Sequence, residues 1–282
     1  MAHHVGMATF DVRVEDYDSG DLVAMAAGPE WALDPTRAAL LVHDLQPYYL
    51  DVLAAGVRTR LGAQVERVVD WAAAHEVPVI GSGPRPASIL AQRGLLGQLW
   101  GLGPTRDQAT AMALRGLEGD HVRWIRKRSY SAFFATDLAE ELRRLGRDQL
   151  VVVGVFATAG VLATTYDAFA RDVECFVPIE ATADYTKELH ATALTLISAL
   201  TGRVTTVSQI VDTDQSDEAS HAPLLDHELA GEREQPRGCL SSRCSEIDWA
   251  GHPDHRLRRE SQSGQSARTV QIACRPRIGD AV

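Results

Sequence analysis

The chain is short of lysine, of early cysteine and of long apolar runs, and each shortage removes a class of function. No stretch approaches the roughly eighteen apolar residues that a bilayer-spanning helix requires. The first twenty residues, MAHHVGMATFDVRVEDYDSG, lack a basic start followed by an apolar segment, so no secretory signal is expected. Positive charge is not in excess either: 28 Lys and Arg face 38 Asp and Glu, for a formal charge of −10. That balance argues against a nucleic-acid binder or a protein attached to an anionic membrane. It still allows an anionic small substrate, because a few clustered cations can reverse the local potential. The four cysteines, Cys175, Cys239, Cys244 and Cys274, form no CxxC pair, so neither a disulfide framework nor a zinc site is expected. The expectation is a soluble cytoplasmic protein without metal or organic cofactor. Lysine occurs only at Lys127 and Lys187.

What is present is ordinary globular composition, 45% hydrophobic and 23% charged over 282 residues, enough to bury a substantial core. Residues 1–30 are mixed and poorly periodic, and read as an N-terminal arm. An apolar run ending abruptly in polar residues predicts a strand at AALLVHD (38–44), short apolar runs predict others at VPVIGSG (77–83), QLVVVGV (149–155), ECFVPIE (174–180) and RVTTV (203–207), and alternation suggests one at HVRWIRK (121–127). Helical spacing predicts helices near 57–75, 89–101, 136–146, 158–171 and 187–200. Alternation of strands and helices implies parallel pairing with right-handed crossovers. The predicted fold is therefore a three-layer αβα sandwich over 31–212 with a mainly parallel, six-stranded, Rossmann-like sheet. Residues 213–282 lose periodicity and are rich in Arg, Ser, Gly, Pro and His, which reads as a disordered tail.

In such a sheet, ligands bind beyond the carboxyl ends of the strands. Those ends are Asp44, Ser82–Gly83, Lys127 and Val155–Gly160. Asp44 can be read as a turn or capping aspartate. It can also be read as a carboxyl group whose pKa burial raises, so that it donates a proton. Lys127 lies in the basic run Arg126–Arg128 and is either a solvated strand-end lysine or a cation for a substrate carboxylate. Arg93 is either a surface residue or a bidentate carboxylate clamp. The turn into the helix at 158 is where a hydrolase of the thiol type would carry its nucleophile. Thr158 and Gly160 stand there, and no cysteine precedes Cys175.

Several stretches resemble the isochorismatase-like hydrolase superfamily, and within it the phenazine-pathway isochorismatases. They are LLVHDLQPYYL, QRGLLGQLWGLG (92–103), KRSYSAFFATDL (127–138), GRDQLVVVGVFATAGVLATTYDAFARD (146–172) and IEATADYTKELH (179–190). The resemblance implies that Asp44 is the catalytic acid, Lys127 the active-site lysine and Arg93 a substrate-binding arginine. It also implies that Gly160 occupies the position of the amidase cysteine and that the Val155–Phe156 peptide is cis. Three departures stand out: Pro84 replaces a substrate-binding glutamine, Phe156 and Thr158 replace a tyrosine and a histidine, and Arg128 and Ser129 stand where a tryptophan and an arginine usually follow the lysine. Arg85 and Arg128 are candidate replacement donors.

The implied reaction is hydrolysis of the enolpyruvyl ether of isochorismate or 2-amino-2-deoxyisochorismate in secondary-metabolite biosynthesis, by a homodimer acting on a small chorismate-derived anion. The departures at Pro84, Phe156 and Thr158 also leave open a weak or inactive homologue that binds such a ligand or a pathway partner.

Overall fold

The apolar run after Arg37 forms strand β1 (Ala38–His43), buried along its whole length, as a strand covered on both faces must be. A computed structural model describes residues 13–212 except 112, 113, 115 and 120. Within them β1 is joined by β2 (Val79–Pro84), β3 (Val122–Lys127), β4 (Gln149–Val155), β5 (Glu174–Pro178), β6 (Thr182–Ala183) and β7 (Arg203–Thr205). All the strand pairs are parallel. The order is β3-β2-β1-β4-β5-β7, with β6 beside β4.

The parallel three-layer expectation holds, with seven strands where six were predicted. The run expected as one strand over 174–180 stops at Pro178 and turns through Ile179–Ala181. The chain then returns to β4, so that Gly154 and Val155 pair with Thr182 and Ala183. A two-residue strand has no periodicity to read.

The helices are α1 (Pro47–Leu50), α2 (Ala55–Ala74), α3 (Leu95–Trp100), α4 (Arg106–Thr110), α5 (Leu138–Leu145), α6 (Leu162–Phe169), α7 (Lys187–Leu200) and α8 (Val207–Val211). Side chains alternate across the sheet. Leu40, Val42, Val151 and Val153 pack in one cluster with Leu61, Val65 and Val68 of α2 and Ile210 of α8. Leu41, Leu150 and Val152 pack in the other with Leu142 of α5, Ala168 of α6 and Ile197 of α7. Each Leu or Val so removed from water contributes on the order of 1.5–3 kcal/mol.

The helix expected over 89–101 is broken. A 3₁₀ turn, Leu90–Arg93, and α3 are separated at Gly94, whose φ of 58° lies in the left-handed region that glycine tolerates best. The helix expected from 158 opens with a π turn, Ala157–Val161, ahead of α6, whereas α7 spans the expected residues. In the N-terminal arm, Tyr17 and Leu22 are buried and Ala27 bridges Val204. The expected tail, 213–282, lies outside the described residues. No helix among the described residues is long and apolar enough to cross a membrane.

Candidate active site

Strand order decides where a site can form. From β1 the chain builds outward to β2 and β3 on one side, while β4 and β5 extend the other side. The ends of β1 and β4 thus flank the point where the winding reverses, the place where such sheets leave a crevice. Asp44 follows β1 directly, and Phe156 follows β4. The peptide between Val155 and Phe156 is cis, as the resemblance implied.

Asp44 is 6% exposed and has a φ of 54°, which turns its side chain out of the strand's alternation. Its Oδ2 lies 2.7 Å from Lys127 Nζ, and its Oδ1 accepts a hydrogen bond from Ser82 Oγ at 2.8 Å. Lys127 ends β3, with β2 lying between it and β1. Its ammonium reaches Asp44 across a strand end built from Gly81, Ser82, Gly83 and Pro84. Two of these are glycines packed under neighbouring side chains: a Cβ on Gly81 would lie 2.6 Å from the Trp124 ring. Ser82 is in turn held by Gln46, whose Nε2 donates to the Ser82 carbonyl at 2.9 Å.

Lys127 spends its remaining donors on the carbonyls of Ser129, at 3.0 Å, and Tyr130, at 3.1 Å. All three of its protons are therefore engaged by protein.

Burial pushes the Asp44 carboxyl up. The Lys127 charge, the neighbouring His43 and the hydrogen bonds from Lys127 and Ser82 outweigh it, so the net direction is below the usual carboxylate range. This corrects the reading in which burial alone raises the pKa. A carboxylate facing a directly bonded ammonium keeps its charge, and Asp44 is ionised in the ligand-free protein.

His43, not singled out from the sequence, is fully buried. Its Nδ1 lies 2.9 Å from the Val155 carbonyl and its Nε2 lies 3.3 Å from that of Tyr130. Burial lowers its pKa; Asp44 raises it and Lys127 lowers it further, for a net fall. The neutral imidazole has one N–H to donate, so it hydrogen-bonds one of these two carbonyls, at the end of β4 or in the loop after β3, and packs against the other. The same ring accounts for Gly160, because a Cβ there would lie 2.1 Å from His43 Cε1. The space of a nucleophile's side chain is filled by histidine. The amide of Thr158 donates to Asp184 Oδ2 at 2.6 Å, and its hydroxyl does so at 2.7 Å, so that turn amide is also occupied. Cys175, a core residue of β5, is pushed up to about 12 by burial and is no thiolate.

Arg93 is 8% exposed. One guanidinium nitrogen donates to the Gly101 carbonyl at 2.7 Å, and the group packs where a Cβ on Gly103 would stand. Trp100 Nε1 donates to the Tyr130 hydroxyl at 2.8 Å, joining the Arg93 segment to the lysine loop.

Pro84 is buried at the end of β2, opposite Lys127, and offers no side-chain donor. Arg85 is exposed, and the Arg128 guanidinium lies 5.3 Å over the Phe134 ring; neither is bonded to Asp44. Phe156 forms a wall of the cleft, edge-on to Tyr49 at 6.2 Å and stacked on Tyr185 at 4.2 Å.

Asp44, Lys127, Arg93, Phe156, Pro84 and Gly160 are thus all at the carboxyl edge of the sheet. The sequence reading missed His43, Tyr49, Tyr185 and Asp184. A histidine directly before the aspartate, ending an otherwise apolar run, was the one local signal available. Among the described residues, no three or more His, Cys, Asp or Glu side chains cluster as a metal site.

An Isochorismatase domain model matches residues 38–209. The chain is 39% identical over 197 residues to the phenazine biosynthesis protein PhzD of Pseudomonas fluorescens, covering 68% of this chain and 93% of that one. It is 31% identical over 189 residues to enterobactin synthase component B of Escherichia coli K12, covering 64% and 65% of the two chains. Among solved structures, a cysteine hydrolase from Pseudomonas syringae pv. phaseolicola superposes with a TM-score of 0.59 at 20% identity, over 68% of this chain and 97% of that one. An isochorismatase-family protein from Burkholderia thailandensis gives 0.54 at 22%, over 67% and 99%. With this fold, this span and these relatives, the chain belongs to the isochorismatase family of hydrolases.

Proposed function

We propose that the protein hydrolyses the enolpyruvyl ether of isochorismate or of 2-amino-2-deoxyisochorismate and releases pyruvate. The observation that carries this reading is a buried carboxyl group, Asp44, held by Lys127 and Ser82, opposite an elbow where His43 leaves no room for a nucleophile. A vinyl ether needs a positioned acid and no covalent partner, and that is the chemistry this arrangement allows.

The proposed steps balance on one carboxyl group. Asp44, protonated as the substrate binds, gives its proton to the terminal methylene carbon, leaving an oxocarbenium ion. Water adds to the oxocarbenium carbon, the one bonded to the ether oxygen, and loses a proton to the Asp44 carboxylate. The resulting hemiketal breaks its bond to the ring oxygen, which leaves as a hydroxyl, and pyruvate departs with the oxygen of water. Asp44 must gain its first proton against Lys127. A substrate with two carboxylates competes for the ammonium and raises the carboxyl pKa, so binding and proton uptake are coupled.

The relatives' names support a role in phenazine-like secondary metabolism, and a cytoplasmic homodimer completes the proposal. The test is to mix purified protein with each substrate and follow pyruvate. Release at enzymatic rates is expected. Binding of either compound without release would instead support a ligand-binding homologue, a reading favoured by one observation: Lys127 is fully engaged by protein acceptors.

A further inference from the structure

Four phenols surround the cleft, and they differ in what their hydroxyls do. That of Tyr130 accepts the Trp100 indole proton. At Tyr49, burial, reinforced by the Asp44 charge, strongly opposes ionisation. Tyr48 and Tyr185 remain; Tyr48 meets Tyr49 edge-on at 5.1 Å, whereas Tyr185 is held on the Phe156 wall of the cleft. It stacks on Phe156 with centroids 4.2 Å apart and planes 11° from parallel. Its backbone amide donates to Asp184 Oδ1 at 2.8 Å. Asp184 is fully buried and pinned through its other oxygen by Thr158.

Among the described residues, the Tyr185 hydroxyl has no hydrogen-bond partner. Phe156, the ring that Tyr185 stacks on, meets Tyr49 of the segment after Asp44 edge-on at 6.2 Å. Burial first, then the Asp184 charge and the Tyr130 and Tyr48 phenols, push the ionisation of Tyr185 up to about 12, so it holds its proton. A fixed phenol with an unspent proton on this wall of the cleft is preorganised to recognise a ligand.

We infer that the Tyr185 hydroxyl donates a hydrogen bond to a ring substituent of the bound substrate and sets specificity at that position. This rests on the hydrolase reading above. The ring of that substrate carries a hydroxyl or amino group beside its carboxylate, and Phe156, which shares the wall with Tyr185, offers it nothing. The stacked pair thus presents one hydroxyl, that of Tyr185.

The test uses the full chain with Tyr185→Phe and the double variant Phe156→Tyr/Tyr185→Phe. Phenylalanine keeps the stack and removes only the hydroxyl. The expected result is a fall in kcat/KM of roughly ten- to a hundredfold for Tyr185→Phe, with Tm unchanged, and recovery of most of that loss in the double variant. Activity of Tyr185→Phe within twofold of wild type would overturn the assignment alone. So would a loss that Phe156→Tyr fails to rescue, since it would trace to packing. Wild-type protein that releases no pyruvate from either substrate would overturn the hydrolase reading and this assignment together.

Discussion

The two walls of the cleft are built on opposite terms. On the β1–β3 side, Asp44, Ser82, Lys127 and the Ser129 and Tyr130 carbonyls satisfy one another. On the β4 side, Phe156 and Tyr185 form an aromatic surface whose one hydroxyl is unspent. A closed polar network in a low-dielectric site is rigid and costly to break. An aromatic wall with a spare donor is inexpensive to vary. In the proposed reaction the charged wall therefore carries the chemistry, and the aromatic wall is where recognition can change.

Breaking the charged wall is expected to have the largest effect on stability. Lys127→Met leaves Asp44 buried without its cation, which costs about 3–5 kcal/mol and is read by denaturant unfolding. The same change lifts the Asp44 pKa, so the pH at which the carboxyl ionises rises. A variant as stable as wild type would show that the pair is not a closed network.

The next effect tests the seam between the walls. Gly160→Ala drives a methyl group against His43, with an expected loss of about 1–3 kcal/mol. Gly160→Cys meets the same obstacle and is expected to gain no amidase activity. Full stability of the alanine variant would mean that the imidazole moves freely.

A smaller effect comes from the histidines behind the site. His190 lies 3.1 Å from the Tyr17 hydroxyl and 3.0 Å from that of Thr182, and burial pushes its pKa down to about 4. Unfolded, it would titrate near 6.5. Between those values the unfolded chain binds a proton that the folded chain does not, so stability falls as pH drops through that window. His43, also lowered by burial, adds to the same slope. Thermal unfolding from pH 7.5 to 4.5 checks this, and His190→Gln is expected to flatten the curve.

Much of this was legible in the sequence because it was periodic or abrupt. Runs such as QLVVVGV and the Asp44 and Lys127 strand ends mark a parallel sheet and its rim without any tertiary information. β6 was not legible because two residues carry no period, and the break at Gly94 was hidden inside an otherwise helical run. Ionisation was the least legible property. Asp44 alone reads as a carboxyl raised by burial, and only the 2.7 Å approach of Lys127 across β2 reverses the direction. Likewise Gly160 reads as a missing thiol, whereas its cause, the His43 ring, comes from a strand more than a hundred residues earlier. Tyr185 was unmarked because stacking between β4 and a later turn leaves no local pattern.

The central claim is that Asp44 is the acid for vinyl ether hydrolysis. The most direct measurement is pyruvate release from isochorismate by wild type and Asp44→Asn, with circular dichroism confirming that both are folded. Turnover by wild type and a loss of about a thousandfold in kcat for the variant is the expected result. An Asp44→Asn protein that releases pyruvate at the wild-type rate would contradict the account.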